Sequence, residues 1–388
     1  MQNTNTARLT SLDAFRGFTI ASMVLVNNPG DWGHIYAQLG HAKWNGWTFT
    51  DWVFPFFLFI CGVSMTFSLG RRAEAGENKT ALLSQLAKRA AIIFCLGFAL
   101  NLIPYFNFEK VRVLGVLQRI AICTLLAAPI VVYFKWRQQL LWIVALLTIY
   151  TLVMLFVPVP DAQGVVAAGA LEPGRDVGAF IDRYFLSGHL WVTSKTWDPE
   201  GLFSTIPALC SQLFGVLTGR WILNSFSATR KTILMFVAGL VCLAMGLVID
   251  ATFMPINKSL WSTSYCIFMT GWALLIFSLF YWLIDANNSA HLRERATQIF
   301  LPFTIYGMNA LFIFALSSLV AKMLNFIKVS SSDGSLIPLK SWLYAPFKTL
   351  PISFFSLENQ SLLFAILFNA MMFLVASFMW KKKWFVKV

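Results

Sequence analysis

The chain has 388 residues, 58% of them hydrophobic and only 12% charged, and its mean hydropathy is +0.68. Soluble domains carry roughly 25% charged residues, so a water-solvated globular fold is excluded and lipid is the expected surrounding. The formal charge of +13 would suit a nucleic-acid partner, but its distribution along the chain excludes that reading as well.

About 20 apolar residues are needed to cross a bilayer as a helix. In chain order such runs predict spans at 11–28, 51–69, 86–103, 114–133, 139–157, 202–222, 232–250, 260–283, 300–321 and 360–380. The first is read as a span and not as a cleaved leader, because it holds Asp13 and Arg16 and no small-residue cleavage site follows. With the N-terminus in the cytoplasm, the inner segments hold Arg8, Arg71, Arg72, Lys79, Lys88, Arg89, Lys135, Arg137, Arg220, Arg230, Lys231, Arg293, Arg295, Lys381, Lys382, Lys383 and Lys387. Only Glu74, Glu77, Asp285 and Glu294 oppose them. The outer segments balance, so the whole excess lies on one face, as the positive-inside rule requires. The basic excess is topology, and no nucleic acid is expected.

The expected fold class is therefore an all-α membrane protein. It is a polytopic bundle of about ten transmembrane helices, N-in and C-in, forming one domain over 1–388. The outer segments 29–50, 158–200 and 322–359 are long enough to be functional, and the last is expected to hold an interfacial helix near Lys340–Leu350. Cys61, Cys95, Cys123, Cys210, Cys242 and Cys266 all lie in apolar runs without CxxC spacing, which predicts inert buried thiols and no metal.

Polar residues in or beside spans are costly and functional by default. Asp13 and Arg16 are three apart, hence on one helical face, where they can pair. Arg16 has in addition the planar fork that suits a phosphate. The first span ends Asn27-Asn28-Pro29-Gly30; turn chemistry accounts for Asn28 but less well for Asn27. The next segment holds two of the four histidines, His34 and His41. His41 is flanked by Trp44, Asn45 and Trp47, and Thr48, Thr50 and Asp51 resemble a cap opening the second span. A zinc pair of His34 and His41 lacks a third ligand. Further polar groups stand at outer span ends: Arg112 to Gln118 and Arg119, Asp198 and Glu200, and Asn257, Lys258 and Trp261. Asn309 lies within the ninth span. Asp198 and Glu200 have a plain reading as a helix cap and first-turn acid. Together these amides, acids and indoles predict an outer polar cavity in which a sugar ring stacks and its hydroxyls are hydrogen-bonded.

The runs Arg8-Leu9-Thr10-Ser11-Leu12-Asp13-Ala14-Phe15-Arg16-Gly17, Leu25-Val26-Asn27 and His41-Ala42-Lys43-Trp44-Asn45-Gly46-Trp47-Thr48-Phe49-Thr50-Asp51-Trp52-Val53-Phe54-Pro55 resemble the heparan-α-glucosaminide N-acetyltransferase family, in its bacterial branch. Weaker matches at Gly115–Ile120, Asp198–Gly201, Asn257–Trp261 and Gly307–Ala310 extend the resemblance over essentially the whole chain. It implies a multi-pass protein of the bacterial inner (cytoplasmic) membrane, embedded in the lipid bilayer, that moves acetyl from cytosolic acetyl-CoA to the amine of a glucosamine-type sugar. His41 and Asn27 are then the catalytic pair. The acceptor side draws on Trp44, Asn45, Asp51, Gln118, Arg119, Asp198, Glu200, Asn257, Lys258, Trp261 and Asn309. The donor side draws on Asp13, Arg16, Arg71, Arg72, Lys88 and Arg89, with acetyl-CoA as co-substrate and no metal. A homodimer is left open. A histidine titrating near pH 6.5 suits removal of the amine proton, and an amide donor to an oxyanion is worth about 3 kcal/mol. Two other classes compete: a secondary transporter of amino sugars or peptides, and an O-acetyltransferase of an envelope glycan. A carrier more often keeps its ionisable groups at mid-bilayer.

Overall fold

A computed structural model describes residues 9–331, 334–351 and 355–386. Arg8 of the first motif and Lys387 of the basic tail lie outside them. The helices in chain order are α1 (Thr10–Val26), α2 (Val53–Met65), α3 (Arg71–Glu74), α4 (Lys79–Leu102), α5 (Val116–Tyr133), α6 (Trp136–Phe156), α7 (Val177–Leu186) and α8 (Thr205–Leu223). They continue as α9 (Ala228–Thr252), α10 (Thr263–Tyr281), α11 (Ala290–Ile299), α12 (Leu301–Met308), α13 (Ala310–Phe326), α14 (Leu339–Lys348) and α15 (Leu357–Lys381). Two short antiparallel pairs, β1 (Val159–Pro160) with β2 (Val166–Ala167) and β3 (Lys328–Ser330) with β4 (Leu336–Pro338), are the strands of the described residues.

This is an all-α polytopic bundle. Among the described residues, eight helical segments are long and apolar enough to cross a membrane, or nine if α12 and α13 count as one broken span. The remaining predicted span, 11–28, is the 17-residue α1, at the short end of what a span requires. The long spanning helices are apolar on nearly every side, the signature of elements that face either lipid or one another, whereas α7, α11 and α14 are not. α2, α5, α8 and α10 form the inner set, while α4, α6, α9 and α15 turn large faces outward.

Glycines set the closest crossings. A Cβ on Gly62 would lie 1.9 Å from the Gln212 carbonyl oxygen, and one on Gly215 would lie 2.0 Å from that of Phe59. The α2–α8 contact is thus backbone on backbone, the packing that small residues allow in lipid. α12 runs antiparallel to α1 in the same way, with Gly17 against the Phe303 carbonyl and Gly307 against that of Asp13.

At Asn309 the chain bends by 80° between α12 and α13. The Asn309 side chain is buried. Its Nδ2 donates to the Trp384 carbonyl (3.0 Å) and its Oδ1 accepts from Val386 N–H (3.0 Å). Freed backbone at such a break is tolerated where it lines a cavity. The tail beyond α15 therefore folds back under the bundle. Asn309 belongs to that end and not to the polar cluster around His41, which corrects its placement among acceptor residues.

The segment 158–200 is an ordered cap built on α7, whose N-cap Asp176 accepts from Ala179 N–H (3.0 Å). The helix expected near Lys340–Leu350 is α14.

Candidate active site

His41 lies on the loop between α1 and α2, and the loop is folded around Asp51. The Asp51 Oδ2 accepts the backbone N–H groups of Ala42 (3.1 Å) and Thr48 (3.0 Å), closing a capping box at the head of α2. The Thr48 hydroxyl donates to the Gly40 carbonyl (2.6 Å), and the Tyr265 hydroxyl donates to the Asp51 carbonyl (2.6 Å). That leaves Oδ1, which meets His41 Nδ1 at 2.7 Å. The Asp51 carboxylate is fully buried, whereas the His41 side chain is 49% exposed. A buried carboxylate on Nδ1 fixes the tautomer with its proton there, so that Nε2 carries the free lone pair.

Lys258 completes the group, with Nζ 3.0 and 3.1 Å from the two His41 ring nitrogens and 3.8 Å from Asp51 Oδ1. It stands on the turn before α10, beside Asn257, whose Nδ2 donates to Asn45 Oδ1 (3.1 Å). Three segments far apart in sequence thus meet at His41.

Behind them lies a buried ion cluster. Arg112 is clamped between Asp198 and Glu200, with Nε donating to Asp198 Oδ2 at 2.8 Å. Burial opposes the Arg112 charge, yet Glu200 and Asp198 hold its proton affinity above the usual range. Burial likewise opposes ionisation of Glu200, but Arg112 and, further off, Arg119 and Lys258 keep its carboxyl below the ordinary value. Arg119 reaches the Pro199 (3.1 Å) and Gly201 (2.8 Å) carbonyls and the Ser204 hydroxyl. The same loop is held from its other side by Asp182, which accepts from Leu202 N–H (2.9 Å) and Asp198 N–H (3.3 Å).

Burial raises the Asp182 carboxyl to about 7, with the Asp198 charge adding to it, against the two backbone bonds. Burial also raises Asp176 to about 6. A carboxyl raised on folding binds protons more tightly in the folded state, so its stabilisation is full below the ordinary value of 3.8 and is lost as pH climbs through the folded value. The thermal unfolding midpoint is expected to fall between pH 5 and pH 8, and Asp182→Asn is expected to flatten that slope. A wild-type midpoint that is level or rises over this interval, followed by tryptophan fluorescence, would contradict the assignment.

Not every predicted acceptor residue is available to a ligand. Trp44 is locked, its Nε1 donating to the Leu171 carbonyl (2.9 Å) and its ring set edge-on to Trp197 at 5.2 Å. Trp261 is 1% exposed, bonded to the Ser211 hydroxyl (3.0 Å) and covered by Arg119. Gln118 is buried where α4 and α5 cross at Gly97. These residues build the site's walls. Asn27 ends α1 with an exposed side chain on the face that carries His41, whereas Asn28 turns back to the Val24 carbonyl (2.8 Å). No hydrogen bond joins Asn27 to His41 among the described residues. His34 pairs with Asp31 (2.9 Å), and no cluster of three or more metal-ligating side chains occurs among the described residues. The sequence places Arg112 only in a polar run at an outer span end and gives Asp182 and Ser64 no role, since their partners are distant in the chain.

Beneath the site a cavity of about 620 Å³ opens between α1, α2, α4, α5 and the α12–α13 break. Arg16, Ser64, Ser68 and Arg89 line one end, and Phe57, Val116 and Leu117 the other. Phe57 follows Asp51 by six residues, roughly 9 Å of helix at ~1.5 Å per residue. Arg16 bonds to Asp13 (3.0 Å) and the Ser64 hydroxyl (2.8 Å), so the sequence-predicted ion pair is present. Arg72 pairs instead with Glu77 (2.8 Å). Of the donor-side candidates, Arg16 and Arg89 line the cavity, whereas Arg71, Arg72 and Lys88 do not.

The fold and site thus define a multi-pass helical membrane protein with a carboxylate-backed histidine on one loop and, lined by other residues, an internal cavity that Arg16 and Arg89 border. A family profile described as "Heparan-alpha-glucosaminide N-acetyltransferase, catalytic" matches residues 8–181. The human and mouse proteins named heparan-alpha-glucosaminide N-acetyltransferase are 29% and 28% identical to it, each over 79% of this chain. The alignments take in 52% and 53% of those proteins, so the chain spans about half the length of the curated relatives it matches. The chain is thus similar, most of all over residues 8–181, to the catalytic part of the heparan-alpha-glucosaminide N-acetyltransferases.

Proposed function

We propose that this protein is a membrane-embedded N-acetyltransferase that moves acetyl from acetyl-CoA to the amine of a glucosamine-type sugar at the face carrying His41. The observation that carries the reading is the 2.7 Å contact of His41 Nδ1 with the buried Asp51 carboxylate, on a ring whose other edge is open. A thioester is already activated, so the enzyme's task is to orient the amine and remove its proton, and Nε2 is placed to do so. Asn45 and Lys258 border this point and suit the hydroxyls of a sugar, with Asn257 holding Asn45 from behind. Asn27 is the amide assigned to the developing oxyanion.

The cavity supports the donor side. Most of its lining side chains are apolar, and Arg16 and Arg89 stand at the end remote from His41, which fits a long acyl arm with phosphates on its head. The positive-inside pattern supports a cytoplasmic position for that end, and on this reading the protein lies in an inner membrane with the acceptor outside. Arg16 and Arg89 are then the phosphate contacts, each charge-assisted bond contributing about 1.5–3 kcal/mol. Arg89→Gln, and Arg16→Gln with it, are expected to raise KM for acetyl-CoA by about tenfold or more while kcat changes little. An unchanged KM in both variants would remove the proposed passage.

The deciding experiment supplies the purified full chain with radiolabelled acetyl-CoA and glucosamine. Labelled N-acetylglucosamine supports the enzyme. Uptake of glucosamine into vesicles without acetylation supports a carrier, and acetylation of amine-free glycans supports O-acyl transfer.

A further inference from the structure

Lys258 is the cation nearest His41, and the mechanism above gives it no part in the chemistry. The turn that carries it is built to aim it. The Asn257 side chain folds back to accept from Leu260 N–H (2.9 Å), and Ser262 Oγ accepts from Asn257 N–H (3.0 Å). Trp261 holds a left-handed φ of 52° with its ring pinned by Ser211, a backbone state that a bulky residue keeps only when its surroundings impose it.

The result is an ammonium almost equidistant from both ring nitrogens of His41, at 3.0 and 3.1 Å. That is a position over the ring face, which leaves the in-plane lone pair of Nε2 open. The Lys258 side chain is only 19% exposed. The charged groups around it are Asp51, Glu200, Arg112 and Arg119. Burial lowers its proton affinity below the ordinary lysine range, against the pull of Asp51 and Glu200. Such an ammonium parts with a proton more readily than one in water.

We propose that Lys258 is the acid partner of His41, giving a proton to the departing thiolate while His41 Nε2 takes one from the attacking amine. The assignment rests on the acetyltransferase reading above. The N–C bond forms and the C–S bond breaks. The amine gives one proton to Nε2, and the sulfur gains one from Nζ. An imidazolium is then left beside a neutral amine at 3.0–3.1 Å; because that amine lies over the ring face, the in-plane Nε2 proton leaves to solvent at the open ring edge and Nζ regains one from solvent, which restores both. A thiolate released unprotonated beside a low-dielectric cavity would be costly, and the ammonium removes that cost.

The test uses the full chain and a series of donors: acetyl-CoA and S-aryl thioacetates whose thiols are progressively more acidic. Lys258→Arg keeps the charge but not the transferable proton, since a guanidinium is effectively always protonated. Lys258→Met removes both. Each is expected to lower kcat with acetyl-CoA by about 100-fold, with the deficit shrinking steadily as the leaving thiol becomes more acidic. A structural role would lower the rate equally for every donor. If Lys258→Arg matches the wild type on acetyl-CoA, or the deficit is the same along the series, the assignment is wrong while the acetyltransferase reading stands. If the wild type transfers acetyl from none of the donors, both fall.

Discussion

Replacing His41 with alanine is expected to lower kcat/KM for acetyl transfer by roughly 10²–10⁴-fold, the range supplied by a positioned general base. The loss should appear in kcat, because the imidazole acts on a proton that moves only in the transition state. Added imidazole should restore part of the rate, since the ring's outer edge is open. Asp51→Asn tests the same site from behind. Its side-chain oxygen, in the place of Oδ2, can still accept from the Ala42 and Thr48 N–H groups, but an amide nitrogen facing Nδ1 favours the opposite tautomer and removes the lone pair from Nε2. The expected loss is of similar size, with the fold retained through the Thr48 and Tyr265 contacts. An alanine variant keeping more than about a tenth of the wild-type rate would show that His41 is not the base, since that lies far outside the general-base range.

The second large effect is on stability. Arg112→Met leaves Asp198 and Glu200 buried without their shared cation. Removing one partner of a buried pair costs about 3–5 kcal/mol, because the remaining charge is uncompensated. The thermal midpoint should drop by several degrees, and the turn that carries Lys258 should loosen with it, since Glu200 is one of the two carboxylates that face that lysine. Combining Arg112→Met with Asp198→Asn and Glu200→Gln should recover most of the midpoint, as an uncharged cluster no longer needs a counter-ion. A single Arg112→Met variant that melts with the wild type would show that the cluster is solvated and of little energetic weight.

The bundle was readable in the sequence because hydropathy and basic loops answer to the bilayer alone, whatever the helices do to one another. His41 and Asp51 were readable for a local reason: the Thr48–Asp51 capping box lies within four residues and holds the loop beside it. What failed to show is orientation. Trp44 has the composition of a sugar platform, but its ring faces Trp197 and its N–H is taken by Leu171, contacts that only the folded cap creates. Arg112 meets acids 86 and 88 residues away, beyond any pattern that spacing can reveal. Asn309 read as a polar residue inside a span, whereas it stands at a break whose direction is dictated by Gly17 and Gly307 meeting backbone to backbone.

That break also bears on the order in which the protein is made. Phe385 and Val386 form part of the cavity wall, and Asn309 holds them there. Tyr306 and Ala21 grip Asn369 of α15 from two sides, at 2.6 and 3.0 Å. Most of the site around His41 is contributed by residues up to Lys258, which a ribosome delivers well before the last helix. The cavity has no complete wall until the final segment has emerged and turned back beneath Asn309. During synthesis, then, the chemistry is assembled first and its inner chamber is sealed last.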